Sequence, residues 1–294
     1  MFSGSIPALV TPFDADGRFV ESAYRELIEW QISEGSKALV PCGTTGEAAT
    51  LTKDEHFAIV KVCADQVRGR VPVIAGAGSN DTRVAAANIA AAKEAGADAA
   101  LMVPPYYNRP SQEGIFQHFA ALAPQSPLPI VLYNVPARTV TDIQPETLIR
   151  IVEAFPKVFV GVKDASGVLQ RVSQHRAALG DGFCQLSGND DLALAFNAMG
   201  GVGCISVTAN VAPRLCAEFQ AATLANDKEK SLELQDRLMP LHRTIFIEAG
   251  VTGAKYALSR LGRVGNVVRS PLVTVEPSTA EKIDAAMRSV GLLN

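Results

Sequence analysis

A (β/α)8 TIM barrel with a C-terminal helical appendage is the fold class that the sequence predicts, on two observations. Eight short runs rich in β-branched residues follow one another at spacings of 19 to 34 residues. Amphipathic or Ala-rich stretches lie between them, so each spacing has room for a strand, a loop and a crossover helix. The predicted strands begin near Ile6, Ala38, Pro72, Ala99, Pro129, Val158, Phe183 and Val202.

Helix signals separate these strands. Thr52 and Glu55 form a capping-box pattern that predicts a helix over residues 56–67. Pro145 predicts the first turn of another helix, because a proline is tolerated where no N–H is needed. Several helices are predicted to end at a glycine, namely at Gly35, Gly69, Gly96 and Gly180.

The pattern becomes purely helical after about Val211. We therefore expect a barrel catalytic domain over residues 1–226 and a C-terminal helical region over residues 227–294. The helices predicted in this part of the chain span residues 213–226, 228–248, 253–260 and 278–290.

A doubly wound sheet is the competing fold, since it also alternates strands and helices. Its dinucleotide fingerprint is missing, because Gly76 and Gly78 are followed by Asp81 where the third glycine belongs. No P-loop pattern occurs either. The barrel is therefore favoured, and it places the chemistry at the carboxyl ends of the strands.

Composition excludes several classes of function. The formal net charge is −3, which gives no reason to expect nucleic acid or an anionic membrane surface as a partner. The longest apolar stretches have only strand length, so no membrane span is expected. Five widely spaced cysteines without a C-x-x-C pair, and no secretory signal, favour reduced thiols in the cytoplasm. The four histidines share no ligand spacing, so we expect no metal.

Lys163 is the first candidate for chemistry, because it ends the apolar run 158–162. Strict alternation puts Lys163, Gly161 and Phe159 on the inward face of the barrel and the three valines of the run on the outward face. An amine at this position can attack a ketone. The alternative is a lysine that extends to solvent or pairs with Asp164.

Two further strand ends carry polar groups. Tyr133 closes the fifth predicted strand, and Arg138 follows shortly after it. A tyrosine there can transfer a proton, and an arginine can bind a carboxylate with two hydrogen bonds. The turn at residues 43–47 offers two threonines and a flexible backbone for a carboxylate or phosphate. Each feature also has a plain structural explanation, namely a core tyrosine, a solvated arginine or an ordinary turn.

Aspartates follow the seventh predicted strand. Asp190 and Asp191 suggest a metal at first sight, but no histidine or glutamate cluster accompanies them. We therefore predict that they cap a helix beginning at Leu192.

Three motifs stand at the ends of predicted strands two, five and six: GTTGE at residues 43–47, YNVPART at 133–139 and VKDASG at 162–167. Together they resemble the family of dihydrodipicolinate synthase and N-acetylneuraminate lyase, the class I pyruvate-dependent aldolases. The resemblance covers essentially the whole chain. One departure is Ala137, where the family frequently has a serine.

Within that family, Arg138 and the paired Thr44 and Thr45 are similar to the synthase branch. The resemblance implies condensation of pyruvate with L-aspartate 4-semialdehyde to 4-hydroxy-tetrahydrodipicolinate, in lysine and diaminopimelate biosynthesis, without a cofactor. Two alternatives stay open at this point. One is a retro-aldol lyase or hydro-lyase that acts on a 2-keto-3-deoxy sugar acid through the same lysine imine, and the other is a non-catalytic pyruvate-binding barrel.

The resemblance also implies roles for individual residues. Lys163 forms the imine with pyruvate, and Tyr133, Thr44 and Tyr107 carry protons between the imine and water. The substrate-binding positions implied by the family are Thr45, Arg138, Gly188 and Ile205.

A homo-oligomer and a regulatory cleft are implied in the same way. The family pattern is a homotetramer in which Tyr107 reaches the neighbouring subunit's site. Many members bind lysine at the dimer interface, and the matching positions here are Ala49, Lys53, His56, Asn80, Val84 and Tyr106.

Two of those positions depart from lysine-sensitive relatives. Val84 stands where they have a glutamate that meets an ammonium group of the effector, and Lys53 adds a positive charge. We therefore expect insensitivity to lysine, because the charge-assisted contact is lost. The alternative is that backbone carbonyls and Tyr106 supply enough affinity.

Overall fold

The computed structural model describes residues 2–294, and its centre is a curled parallel sheet. Along the sheet the strand order is β1-β7-β6-β5-β4-β3-β2, and all neighbours are parallel. Each strand is short and is followed by helical structure, as the period of the sequence predicts. The strands are β1 (Gly4–Pro7), β2 (Ile74–Gly76), β3 (Ala99–Met102), β4 (Ile130–Asn134), β5 (Phe159–Asp164), β6 (Cys184–Ser187) and β7 (Gly203–Ser206).

The remaining strand position of the barrel is occupied by isolated parallel bridges instead of a regular strand. Ala8 pairs with Val40, and Leu39 pairs with Val73, so residues 38–40 join the β1 edge to the β2 edge. This segment is the second strand that the sequence predicts, but it is shorter than a regular strand, because Pro41 has no N–H to continue the ladder. The sheet is thereby closed, and the predicted barrel is confirmed.

Twelve helices lie within residues 2–294. The capping box at Thr52 is confirmed: its hydroxyl accepts from the Glu55 N–H (3.2 Å), and the Glu55 carboxylate accepts from the Thr52 N–H (2.9 Å). The four glycines predicted to end helices all have positive φ. The helices are α1 (Glu21–Ser33), α2 (Lys53–Val67), α3 (Thr82–Glu94), α4 (Gln112–Leu122), α5 (Pro136–Thr139), α6 (Pro145–Ala154), α7 (Gln170–Leu179), α8 (Ala193–Ala198), α9 (Pro213–Leu224), α10 (Lys228–Thr244), α11 (Gly250–Arg260) and α12 (Pro277–Ser289).

The C-terminal helices pack on one another and on the barrel. Helix α10 contacts both α9 and α12, and α11 also packs on α12. The boundary predicted at residues 226–227 falls in the short loop between α9 and α10. The division into a barrel domain and a helical region stays a prediction. Among residues 2–294, none of the helices combines the length and apolar character that a membrane crossing requires.

Two hydrophobic clusters fill the molecule. The larger one lies between the strands and the surrounding helices. The smaller one fills the barrel interior with side chains from almost every strand, as parallel barrels require. Its members include Ile6, Val40, Ile74, Leu101, Val131, Leu186 and Ile205.

A β-bulge in β5 changes which side chains face inward. In the pairing with β4, Ile130 lies opposite Phe159, and Val131 lies opposite Gly161. Val160 is thus an extra residue without a partner on β4, which shifts the alternation by one position.

The bulge makes our alternation prediction wrong for the first half of the strand. Phe159 packs outward with its ring centroid 5.8 Å from that of Phe119, whereas Val160 contacts the interior cluster. Beyond the bulge the prediction is confirmed, since Val162 belongs to the outer cluster and Lys163 faces the barrel mouth.

Candidate active site

Lys163 and Tyr133 face each other at the carboxyl ends of β5 and β4. The two residues are direct partners in the strand register. Lys163 Nζ lies 4.1 Å from the centroid of the Tyr133 ring, and both side chains are buried. The strand pairing therefore holds an amine and a phenol side by side at the barrel mouth.

The loop at residues 43–47 forms a tight turn beside them. The Gly46 N–H donates to the Gly43 carbonyl oxygen, and the Glu47 N–H donates to the Thr44 carbonyl oxygen, each at 3.1 Å. Among residues 2–294, no protein acceptor takes the backbone N–H of Thr44 or Thr45. Successive free N–H groups in a turn are suited to binding an anion. The loop thus has two donors available for a carboxylate.

A cleft of about 720 Å³ lies above the barrel mouth and is lined by most of the predicted site residues. Three residues of the predicted lysine-binding set, Ala49, His56 and Tyr106, line the same cleft. In the single chain the two predicted sites are therefore continuous. The predicted catalytic and substrate-binding residues in the lining are Thr44, Thr45, Tyr133, Arg138, Lys163 and Gly188.

Five predicted site residues do not line this cleft. Ile205 is buried in the interior cluster of the barrel. The Tyr107 side chain is 90% exposed, with backbone φ of 70°. The other three, Lys53, Asn80 and Val84, lie outside the lining as well.

Arg138 lies in the last turn of α5 and is exposed at the rim of the cleft. The segment after it is fixed by two hydroxyl groups. Thr139 Oγ1 donates to the Thr141 carbonyl oxygen (2.7 Å), and Thr141 Oγ1 donates to the Pro105 carbonyl oxygen (2.8 Å). These bonds connect the Arg138 segment to the loop that carries Tyr106.

A buried polar network supports the same segment from below, and the sequence did not reveal it. Asn134 donates to the Asp142 carboxylate (2.8 Å) and accepts from the Ile143 N–H (2.9 Å). Arg171 binds both oxygens of Asp142 at 2.7 Å. Asn134 stands in the second motif, but nothing local identifies Asp142, in the loop between α5 and α6, as its partner, or Arg171 on α7 as the partner of Asp142.

Asp190 does not cap a helix, so that prediction is wrong. Its carboxylate accepts from the Ser206 hydroxyl and from the backbone N–H groups of Val207 (3.0 Å) and Thr208 (3.3 Å). No side chain caps the helical turns that begin nearby. The Asp190 carboxylate therefore binds the backbone N–H groups that directly follow β7.

The four histidines lie in separate environments and do not form a cluster. His56 Nε2 donates to the Gly76 carbonyl oxygen (2.7 Å), and burial lowers the pKa of this histidine, so its neutral form is favoured. The four histidines lie on four different helices. Within residues 2–294, no group of three or more His, Cys, Asp or Glu side chains is placed to hold a metal ion.

Comparison with known proteins identifies the family. A sequence model of the Dihydrodipicolinate synthetase family matches residues 1–290. The chain belongs to this family. A curated relative from Mesorhizobium japonicum, a 4-hydroxy-tetrahydrodipicolinate synthase, is 61% identical over 294 residues, which is 100% of both chains. The resemblance inferred from the three motifs is confirmed.

Solved structures of the dihydrodipicolinate synthetase family superpose closely on this chain. The chloride-inhibited dihydrodipicolinate synthase from Acinetobacter baumannii, complexed with pyruvate, gives a TM-score of 0.97 at 39% identity and 100% coverage of both chains. A protein described as the first monomeric dihydrodipicolinate synthase variant gives 0.96 at 37% identity, with 99% of this chain and 98% of that chain covered. The barrel is therefore the fold of this family.

Proposed function

We propose that this chain condenses pyruvate with L-aspartate 4-semialdehyde to 4-hydroxy-tetrahydrodipicolinate through an imine on Lys163. The observation that carries the proposal is the buried Lys163 amine beside Tyr133, in a cleft that also contains the free N–H groups of Thr44 and Thr45. Relatives that are 57–61% identical over the full chain bear the name of this synthase. This favours the synthase over the lyase and binding-protein alternatives.

The chemistry follows from the amine. Lys163 Nζ attacks the ketone carbon of pyruvate, and loss of water gives the imine. The imine accepts electrons, so the methyl group loses a proton and becomes an enamine. The enamine carbon bonds to the aldehyde carbon of the semialdehyde. The semialdehyde amine then replaces Lys163 at the imine carbon, which closes the ring and frees the enzyme.

Proton transfers are assigned to three hydroxyl groups. Tyr133 lies beside the amine, and Thr44, in the turn at residues 43–47, lines the same cleft. Tyr107 completes the relay only if a second subunit places it there, because its side chain is exposed in the single chain. Linked hydroxyls can carry protons between a buried imine and water.

Substrate binding is assigned to the remaining predicted residues. The Thr44 and Thr45 N–H groups bind the pyruvate carboxylate, and Arg138 binds the carboxylate of the semialdehyde. Gly188 lines the cleft at a position where a larger residue does not fit, since a Cβ there would lie 2.6 Å from the Ala165 Cβ. Ile205 acts from the barrel interior as packing beneath the pocket.

We also propose that the chain assembles as a homotetramer. The exposed Tyr106–Tyr107 loop supports this, because two aromatic side chains in solvent are typical of a surface that another subunit covers. A family neighbour is described as the first monomeric variant, so other assemblies exist among its relatives.

Borohydride trapping tests the imine. With pyruvate present, reduction should add one reduced pyruvyl unit to the peptide that contains Lys163. Lys163→Met should abolish the label, whereas Lys157→Met, which removes an exposed lysine just before the same strand, should retain it. A label on another lysine contradicts the mechanism.

A second experiment tests the acceptor. Turnover with aspartate semialdehyde is compared with turnover of a panel of 2-keto-3-deoxy acids.

A further inference from the structure

A fully buried ion pair connects the C-terminal helices to the loop that contains Thr44 and Thr45. Lys255, on α11, has 0% exposure, and its Nζ donates to the Glu47 carboxylate and to the Val267 carbonyl oxygen (2.7 Å). The same Nζ lies 4.2 Å from the centroid of the Phe13 ring. A buried ammonium needs such partners, because an unpaired charge in the interior is strongly unfavourable. Glu47 is therefore fixed relative to α11.

Glu47 occupies a strained position as the last residue of the loop. Its backbone is left-handed (φ 57°, ψ 34°), a conformation uncommon for residues other than glycine unless the surroundings hold it. Its second carboxylate oxygen accepts from the Arg269 N–H at 2.8 Å. Both groups that satisfy this carboxylate thus come from the C-terminal part of the chain.

Arg269 also fixes the residues that follow the turn. Its guanidinium donates to the Thr50 carbonyl oxygen (2.9 Å), to the Gly17 carbonyl oxygen (2.7 Å) and to the Glu55 carboxylate (2.9 Å). Its Cζ lies 4.3 Å from the Phe13 ring centroid. The segment after the turn is therefore held at Glu47, at Thr50 and at the start of α2.

We infer that Lys255 and Arg269 are positioning residues, which hold the Thr44–Thr45 turn through Glu47 in the geometry that binds the carboxylate of pyruvate. The inference rests on the role proposed above for that turn. It also gives the C-terminal helices a part in the chemistry at the barrel mouth. Neither residue touches the substrate, and neither lines the cleft.

A positioning role and a purely structural role predict different kinetics. If the turn loses its support, its two N–H groups no longer converge on the carboxylate, so the KM for pyruvate rises. Lys163 and Tyr133 stay in place, but the Thr44 hydroxyl moves with the turn, so kcat falls in addition to the rise in KM. A purely structural role lowers the amount of folded enzyme, which reduces the apparent kcat and leaves KM unchanged.

Lys255→Met tests the inference, because methionine matches the lysine side chain up to Cε and removes the ammonium group. We expect the KM for pyruvate to rise about 10- to 100-fold, with the KM for the semialdehyde nearly unchanged. Arg260→Ala is the matched control, since Arg260 lies on the same helix and pairs with Asp284 at the surface. A folded Lys255→Met enzyme with the KM of the wild type would overturn the inference.

Arg269→Ala keeps the test decisive if Lys255→Met does not fold, because Arg269 is partly exposed and easier to replace. We expect a smaller rise in the same KM and faster amide hydrogen exchange in the peptide that covers residues 43–51. Arg269→Lys, which keeps the charge but loses the planar fork, should give an intermediate KM. Unchanged exchange and unchanged KM in both variants would contradict the inference.

Failure of the inference is distinguishable from failure of the proposed function. If wild-type Lys163 forms no imine with pyruvate, the proposed function is wrong. If the wild type forms the imine and the Lys255 and Arg269 variants form it at the same pyruvate concentration, only the positioning role is wrong.

Discussion

Arg138 is the one cation among the proposed binding groups that lies at the rim of the cleft, at the end of α5. We expect Arg138→Ala to lower turnover of the semialdehyde while imine formation with pyruvate stays intact. Loss of a charge-assisted contact costs roughly 1.5–3 kcal/mol, or about 10- to 150-fold in rate. Steady-state kinetics and borohydride trapping measure the two steps separately. Arg150→Ala, which removes a surface arginine, is the control. If Arg138→Ala lowers imine formation and semialdehyde turnover equally, Arg138 has a structural role instead.

A second prediction at the scale of single residues is that Val84 determines the response to lysine. A valine cannot accept a hydrogen bond from the effector's ammonium group, and the Lys53 charge repels a ligand that carries two ammonium groups, although solvent screens part of that repulsion. We expect no inhibition by millimolar L-lysine at subsaturating pyruvate. Val84→Glu should introduce sensitivity, and Val84→Gln, without the charge, should introduce less. Half-inhibition of the wild type at submillimolar lysine would contradict this prediction.

Strand β5 depends on a glycine at its bulge. A Cβ on Gly161 would lie 2.6 Å from the Cys184 carbonyl oxygen and 2.8 Å from the Cys184 Cβ, so the neighbouring strand has to move. We expect Gly161→Ala to destabilise the protein by about 1–3 kcal/mol and to displace Lys163. Gly182→Ala, where a Cβ meets nothing within 4 Å, should stay within about 0.5 kcal/mol of the wild type. Denaturant unfolding compares the two.

Helix α2 carries a pH-dependent contact at its first turn. The Arg269 guanidinium and the capping box lower the pKa of Glu55 from 4.5 to about 2. Because the native pKa is the lower one, the stabilisation is complete above about pH 4.5 and is lost as the pH falls towards 2. We expect Glu55→Gln to cost about 1–2 kcal/mol at neutral pH, allowing for partial exposure, and progressively less in acid. A pH-independent cost in urea unfolding would contradict this assignment.

Local sequence signals predicted the elements well and their irregularities poorly. The spacing of apolar runs and the cap at Thr52 indicated strands and helices, because each depends on residues close together in the chain. The bulge at Val160 was missed, since alternation alone gives no sign of an extra residue. The assignment of Asp190 failed for a related reason: its partners lie at the end of β7 and directly after it, and the sequence offered a nearer helix start instead.

At the scale of the whole molecule, the motifs pointed to the proposed catalytic groups, but not to the residues that support them. Lys163, Tyr133 and Thr44 were predicted as one site because the carboxyl ends of parallel strands meet at one mouth. The pairing of Glu47 with Lys255 joins residues 208 positions apart, and neither residue stands out locally. Such long-range pairs are set by how the C-terminal helices fold back over the barrel, which no short pattern encodes.

The proposed assembly predicts that a complete active site needs residues from two subunits. Tyr107 points into solvent in the isolated chain, so we expect it to serve the site of a neighbouring subunit. Tyr107→Phe should lower turnover about 100-fold, as expected for loss of a proton-transfer group. Lys163→Met should be inactive. When the two variants are co-expressed, half of the dimers are mixed, and each mixed dimer pairs an intact Lys163 with a Tyr107 from its partner, which makes about a quarter of all sites complete. Activity should therefore return in the mixture. If Tyr107 serves its own chain, every site keeps a defect, and the mixture stays as inactive as the separate variants.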